Sequence, residues 1–137
     1  MTKKEDNTAT DDAVLQMFLD LTNDDGCEID LTLNIYGVVV AGTLVGPQAY
    51  YEGIVDATKN IQNKTLSQIL HKKFSDLQNA YIKEMQELKE KDKNEFVASY
   101  IHLKNATYLV NQNQNSPSNG MWWRGKIDSI DGISFKL

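Results

Sequence analysis

The stretch EIDLTLNI, residues 28–35, alternates polar and apolar side chains without a break. Because successive side chains of a β-strand point to opposite faces of a sheet, this alternation predicts a strand with one face against a core. Tyr36-Gly37 permits a chain reversal, and the β-branched run at 38–45 predicts a second strand that bends at Gly42. The two segments therefore predict a bent antiparallel hairpin.

Helical patterns lie on both sides of this hairpin. Apolar residues spaced three and four apart predict a short helix near 12–23, with Thr10 as its cap and Gly26 just past its end. Pro47 is well placed to open a second helix. A third helix is predicted near 65–92 by a long apolar stripe, which consists of Leu66, Leu70, Phe74, Leu77, Tyr81, Met85 and Leu88.

Further strands are predicted in the C-terminal third of the chain, from residues rich in β-branched and aromatic side chains. They are expected at 96–103, 107–110, 122–128 and 133–137. The polar run NQNQNSPSNG at 111–120 is expected to be a mobile loop, and residues 1–9 a flexible polar tail.

The order of these elements predicts the fold class. The expectation is a single α+β domain over 10–137, in which the helices of an insertion at about 47–94 interrupt the strands. Its sheet is expected to be small, strongly bent and antiparallel, or to close into a small barrel.

Composition restricts the classes of function. A length of 137 residues fits one core, and 41% hydrophobic with 24% charged residues is ordinary for a globular chain. The net charge of −5 argues against a nucleic-acid partner. The sequence contains no apolar run long enough for a membrane span or a signal peptide, so a cytoplasmic location is expected.

Residues for catalysis or metal binding do not form a recognisable motif. Cys27, His71 and His102 are scattered, without the paired spacing of zinc ligands. Nucleophile elbows and phosphate-binding loops are also missing from the sequence. We therefore expect no enzyme activity, no metal and no cofactor, and we expect His102 to be a surface or half-buried residue rather than a contact residue.

The segment WWRGK at 122–126 is the first candidate for partner binding. Adjacent strand residues point to opposite faces, so only one of Trp122 and Trp123 can easily enter the core. The outward tryptophan, with Arg124 and Lys126 beside it, is typical of contact hot spots. The alternative is that it covers the rim of the barrel or lies under a helix.

The long apolar stripe is the second candidate. It is longer than a helix needs to cover a small sheet, so Phe74 and Tyr81 are candidates for an interface between copies of the chain. The simpler interpretation is that the stripe covers the chain's own core. A homo-oligomer is expected, with this helix or an edge strand of the sheet in the interface and the segment at 122–126 near a contact surface.

Two resemblances add to these patterns. The order of an N-terminal helix, GVVVAGTLVG at 37–46, YIHLKNA at 100–106, and RG and IDGI at 124–125 and 130–133 resembles an Sm-like barrel. That resemblance implies an RNA-binding ring protein, which is the alternative function. However, GPQAYY at 46–51 replaces the family's acidic, Asn-bearing RNA-contact turn, and a helical insertion occupies residues 47–94.

The second resemblance covers most of the chain. AVLQMFLDLT at 13–22, EIDLTLN at 28–34, IHLKNA at 101–106 and WRGKIDSIDG at 123–132 resemble the gas vesicle accessory protein U family. This resemblance implies a cytoplasmic, gas-vesicle-associated, non-enzymatic accessory protein. It would act in vesicle assembly or clustering by self-association and by binding gas vesicle proteins or the vesicle surface.

Overall fold

The computed structural model describes residues 10–90, 98–109 and 120–136. The predicted tail at 1–9, nearly all of the predicted loop at 111–120 and the beginning of the predicted strand at 96–103 lie outside these residues. The chain divides into two compact units. One consists of the described parts of residues 1–46 and 97–137, and the other of the described part of residues 47–96.

Helix α1 of the first unit spans Ala13–Asp25, which confirms the helix predicted near 12–23. Asp12 caps it: the side chain accepts hydrogen bonds from the backbone N–H groups of Val14 and Leu15, at 2.9 and 3.3 Å. Thr10, the predicted cap, instead accepts from the backbone N–H of Asp12. Gly26 ends the helix in the left-handed conformation, with φ 70°, as its position predicted.

Five antiparallel strands form the sheet of the first unit. They are β1 (Ile29–Ile35), β2 (Val38–Val45), β3 (Tyr100–Tyr108), β4 (Met121–Lys126) and β5 (Gly132–Phe135). The strand order is β4-β3-β2-β1-β5, and a 3-10 turn at Ile127–Ser129 separates β4 from β5. The predicted α+β class with an antiparallel sheet is confirmed, but the sheet is open, so the predicted barrel is not what the structure shows.

Strand β3 replaces two predicted strands. The expectation was one strand at 96–103 and another at 107–110, whereas a single strand continues from Tyr100 to Tyr108. The register shifts opposite Gly42, and Asn105 adopts a positive φ of 54°. A bulge of this kind bends a strand without ending it, and Asn105 lies at the bend.

The core of the first unit lies between α1 and one face of the sheet. Its buried members come from α1, from three strands and from the 3-10 turn, and they are Leu15, Phe18, Leu19, Leu31, Leu33, Val40, Leu44, Ile101, Leu103, Ala106 and Ile127. The alternation that predicted β1 is confirmed, since Leu31 and Leu33 are buried while Asp30 and Asn34 are exposed.

The second unit is a helical hairpin. Helix α2 (Pro47–Ala57), a 3-10 turn (Thr58–Asn60) and helix α3 (Lys64–Glu90) follow each other along the chain. The turn is held by Thr58, whose hydroxyl donates to the Val55 carbonyl at 2.6 Å and whose carbonyl accepts from the Ser67 hydroxyl at 2.7 Å. All of α3 lies in the described part of the chain, and none of its side chains is fully buried.

Candidate functional site

Strand β4, which carries most of the predicted contact residues, forms one edge of the sheet. Among the described residues it pairs with β3 alone, in a register that places Lys126 opposite Tyr100, Arg124 opposite His102 and Trp123 opposite Leu103. Leu103 belongs to the core, so Trp123 lies on the α1 side of the sheet. Alternation places Trp122, Arg124 and Lys126 on the opposite side.

Trp123 has a structural role in this arrangement. Its ring packs against the core cluster, and its indole N–H donates to the Tyr108 hydroxyl at 2.8 Å. The six-membered ring also lies over Gly125, where a Cβ atom would collide with it. Trp122 is half-buried on the other face. The prediction that one tryptophan faces the core is therefore confirmed for Trp123.

Arg124 and Lys126 form an exposed basic edge. The guanidinium of Arg124 lies 4.1 Å from the centre of the Tyr100 ring, a cation–π contact that fixes its direction. Lys126 and Tyr100 are exposed beside it. A positioned guanidinium next to an ammonium group suits recognition of carboxylates or other anions.

His102 is buried, with 4% of its surface exposed, so the expectation of a surface or half-buried residue was wrong. Alternation correctly placed it opposite Ile101 and Leu103, but Val45, its neighbour on β2, is also only 2% exposed. Both faces are therefore covered at this point, which alternation cannot reveal. Burial, and then the positive charge of Arg124, lower the pKa of His102 from 6.5 to about 4.

Phe74 and Tyr81, the other predicted contact residues, lie on α3 of the helical hairpin, in a different unit from β4. Both are half-buried, and the Tyr81 ring centre is 5.8 Å from that of Tyr51 on α2. Burial, followed by the charges of Tyr51 and Glu84, raises the pKa of Tyr81. These two side chains belong to the half of the predicted stripe that is partly covered.

A different side of α3 is open. Leu66, Ile69 and Leu77 are 45%, 49% and 49% exposed. The sequence pattern included Leu66 and Leu77 but missed Ile69, which belongs with Leu66 because residues three apart are neighbours on a helix surface.

The described residues contain neither a cluster of metal ligands nor a membrane-spanning helix. No group of three or more His, Cys, Asp or Glu side chains among them could hold a metal ion. In the same part of the chain, no helix combines the length and the apolar character needed to cross a bilayer. A shallow depression in the sheet is lined by polar side chains that include Asp30, Thr43 and Thr107, and the Thr43 hydroxyl donates to Asp30 at 2.7 Å.

Comparison with known protein families gives a match to most of the chain. Neither the curated proteins nor the solved structures contain a significant match to the chain. The Sm-like alternative gains no support, since the sheet is open. The model of a family described as gas vesicle protein GvpU-like matches residues 12–137, a span that contains α1, all five strands and both helices of the hairpin. The chain therefore belongs to the GvpU-like family of gas vesicle proteins.

Proposed function

We propose that this chain is a non-enzymatic accessory protein of gas vesicles, which acts in vesicle assembly or clustering through self-association and protein binding. Membership of the GvpU-like family over residues 12–137 is the observation that carries this proposal, because that family is one of gas vesicle accessory proteins and is not known as enzymatic. The protein would work in the cytoplasm, on gas vesicle proteins or on the vesicle surface.

The basic edge of β4 supports the protein-binding part. Arg124 and Lys126 project from an edge strand of a chain whose net charge is −5, so an acidic partner would meet a local positive patch. Trp122 lies on the same face and supplies apolar area. Trp123 contributes indirectly, because its packing over Gly125 holds the backbone between the two cations.

Helix α3 supports the self-association part. Its three exposed large apolar side chains, Leu66, Ile69 and Leu77, form an apolar surface without cover in the described chain. Phe74 and Tyr81 line the neighbouring, partly covered side, where the Tyr81 ring packs against Tyr51 of α2.

A flotation experiment tests the proposal. Purified protein is mixed with purified gas vesicles, the vesicles are floated by centrifugation, and the buoyant layer is assayed for protein and for clusters by light scattering. We expect the protein to float with the vesicles and to cluster them. The double variant Arg124→Glu/Lys126→Glu is expected to lose most of this binding.

The control is a double variant with the same change of charge at other exposed lysines, Lys59→Glu/Lys136→Glu, which should float like the unmodified protein. Protein that stays in the lower layer and leaves the vesicles dispersed would contradict the proposed function.

A further inference from the structure

One side of α3 carries exposed residues that recur at steps of three and four. They are Leu66, Ile69, Lys73, Leu77, Ala80 and Glu84, and every one of them is exposed. This spacing places them on a single strip along the helix. Phe74 and Tyr81 lie on another, half-buried side of the helix. The Tyr81 ring contacts Tyr51, so this half-buried side faces α2. We name these six residues the α3 strip.

Charge is distributed unevenly along α3. Its first half, residues 64–76, carries Lys64, Lys72 and Lys73 against a single carboxylate, Asp76. Its second half, residues 77–90, carries three glutamates and two lysines, which are Glu84, Glu87, Glu90, Lys83 and Lys89. The helix is thus positive toward its N-terminus and negative toward its C-terminus.

This distribution is unfavourable at the N-terminal end of a helix on its own. A helix dipole places partial positive charge at the N-terminus and partial negative charge at the C-terminus, so acidic residues stabilise the first turn and basic residues the last. The first turn of α3 has no acidic residue and begins with Lys64. A second α3 running in the opposite direction would place its acidic half beside the basic half of the first. The negative end of its dipole would then lie beside the positive end of the first helix's dipole, and the reverse at the other end.

We propose that α3 packs antiparallel against α3 of a second copy of this chain, along the α3 strip. In the register centred between Leu77 and Ala80, these two residues oppose each other across the two-fold axis, and Lys73 of each copy lies beside Glu84 of the other. A parallel pair would instead place like charges together at both positions. This inference rests on the self-association in the proposed function and adds its interface and direction.

Charge reversal tests the direction of pairing. Lys73→Glu places two glutamates together at both symmetric positions, and Glu84→Lys places two lysines together there. We expect each single variant to weaken self-association by about tenfold or more at low ionic strength. Mixing the two variants in equal amounts should restore association, because both contacts are again between opposite charges. Sedimentation equilibrium measures the association constants.

Lys89→Glu is the matched control. It makes the same change of charge on the same helix, but at an exposed position roughly opposite the α3 strip, so self-association should stay unchanged. Far-UV circular dichroism of each variant should match that of the unmodified chain, which separates loss of the interface from loss of the fold.

Two outcomes overturn the inference. If the single variants associate like the unmodified chain, or if their mixture fails to recover, the antiparallel α3 interface is wrong. The proposed function is judged separately, since co-flotation of the unmodified protein with vesicles does not depend on which helix pairs. A chain that stays monomeric at high concentration overturns both the interface and the self-association on which it rests.

Discussion

At the scale of single residues, His102 gives the chain a calculable dependence on pH. The unfolded chain takes up a proton on this imidazole near the ordinary pKa of 6.5, whereas the folded chain does so only near pH 4, because burial and Arg124 disfavour the charged ring. The stabilising contribution of neutral His102 is therefore complete above about pH 6.5 and is lost as pH falls to about 4. We expect a loss of about 3 kcal/mol over this window.

Urea denaturation at a series of pH values measures this loss. The difference between the unmodified chain and His102→Leu isolates the imidazole from carboxylates that titrate in the same range. Arg124→Gln removes one of the two causes of the lowered pKa of His102, so that pKa should rise. The pH range over which stability is lost should then be narrower. A pH dependence that is the same with and without His102 would contradict the burial of this ring.

Gly125 is the second residue with a sharp consequence. A Cβ at this position would collide with the ring of Trp123. Gly125→Ala is expected to lower the free energy of unfolding by about 1–3 kcal/mol and to shift the tryptophan emission, since the ring has to move.

Gly132→Ala is the matched control, because the nearest atom to its added Cβ, the Cβ of Asn34, lies at 3.8 Å, an ordinary contact distance. If both alanine variants behave alike, the packing of Trp123 over Gly125 is not as described.

At the scale of elements, the cap of α1 is open to a direct measurement. Asp12 accepts two backbone hydrogen bonds at the start of a helix that supplies Leu15, Phe18 and Leu19 to the core. Asp12→Ala should lower the free energy of unfolding by about 1 kcal/mol. Asp11→Ala removes an exposed carboxylate outside the cap, so it should change the free energy of unfolding by no more than about 0.5 kcal/mol. Thermal unfolding of both variants measures the difference.

Periodicity predicted most elements because each has one face that is more covered than the other. The strand over residues 28–35 and the helix near 65–92 are found within one or two residues of their predicted bounds. Strand β3 was predicted as two strands, because a bulge depends on its partner strand rather than on local sequence.

The candidate site was predictable only in part. Sequence singled out Arg124 beside an aromatic segment, but its aromatic partner proved to be Tyr100, 24 positions earlier in the chain. A contact across strands follows from register, which the sequence of one strand does not contain. The open side of α3 likewise depends on a contact that its own sequence does not contain, because it is defined by the packing of α2 against the other side.

At the scale of the whole molecule, the helical hairpin is an insertion between two paired strands. Val45 near the end of β2 pairs with His102 near the start of β3, so the chain leaves and re-enters the sheet at adjacent points. Every member of the buried cluster belongs to α1, the sheet or the 3-10 turn at 127–129. Replacing residues 47–96, which make up the helical unit, with a loop of about four residues should therefore leave a folded sheet unit.

Circular dichroism and cooperative urea unfolding would show whether the shortened chain folds. It should retain the β-sheet signal and lose self-association, because α3 is removed. A shortened chain that is unfolded would show that the sheet unit depends on the hairpin.

The pairing of β5 with β1 also determines when the sheet can be completed during synthesis. Leu33 pairs with Ile133, about 100 positions later in the chain, so β1 keeps one hydrogen-bonding edge unpaired until the ribosome has made β5. At ~5–20 residues per second, that wait lasts roughly 5–20 seconds. Contacts this distant in sequence also slow folding. Each nascent chain therefore passes through an interval in which a strand with one apolar face is open to pairing with the nascent chains of neighbouring ribosomes.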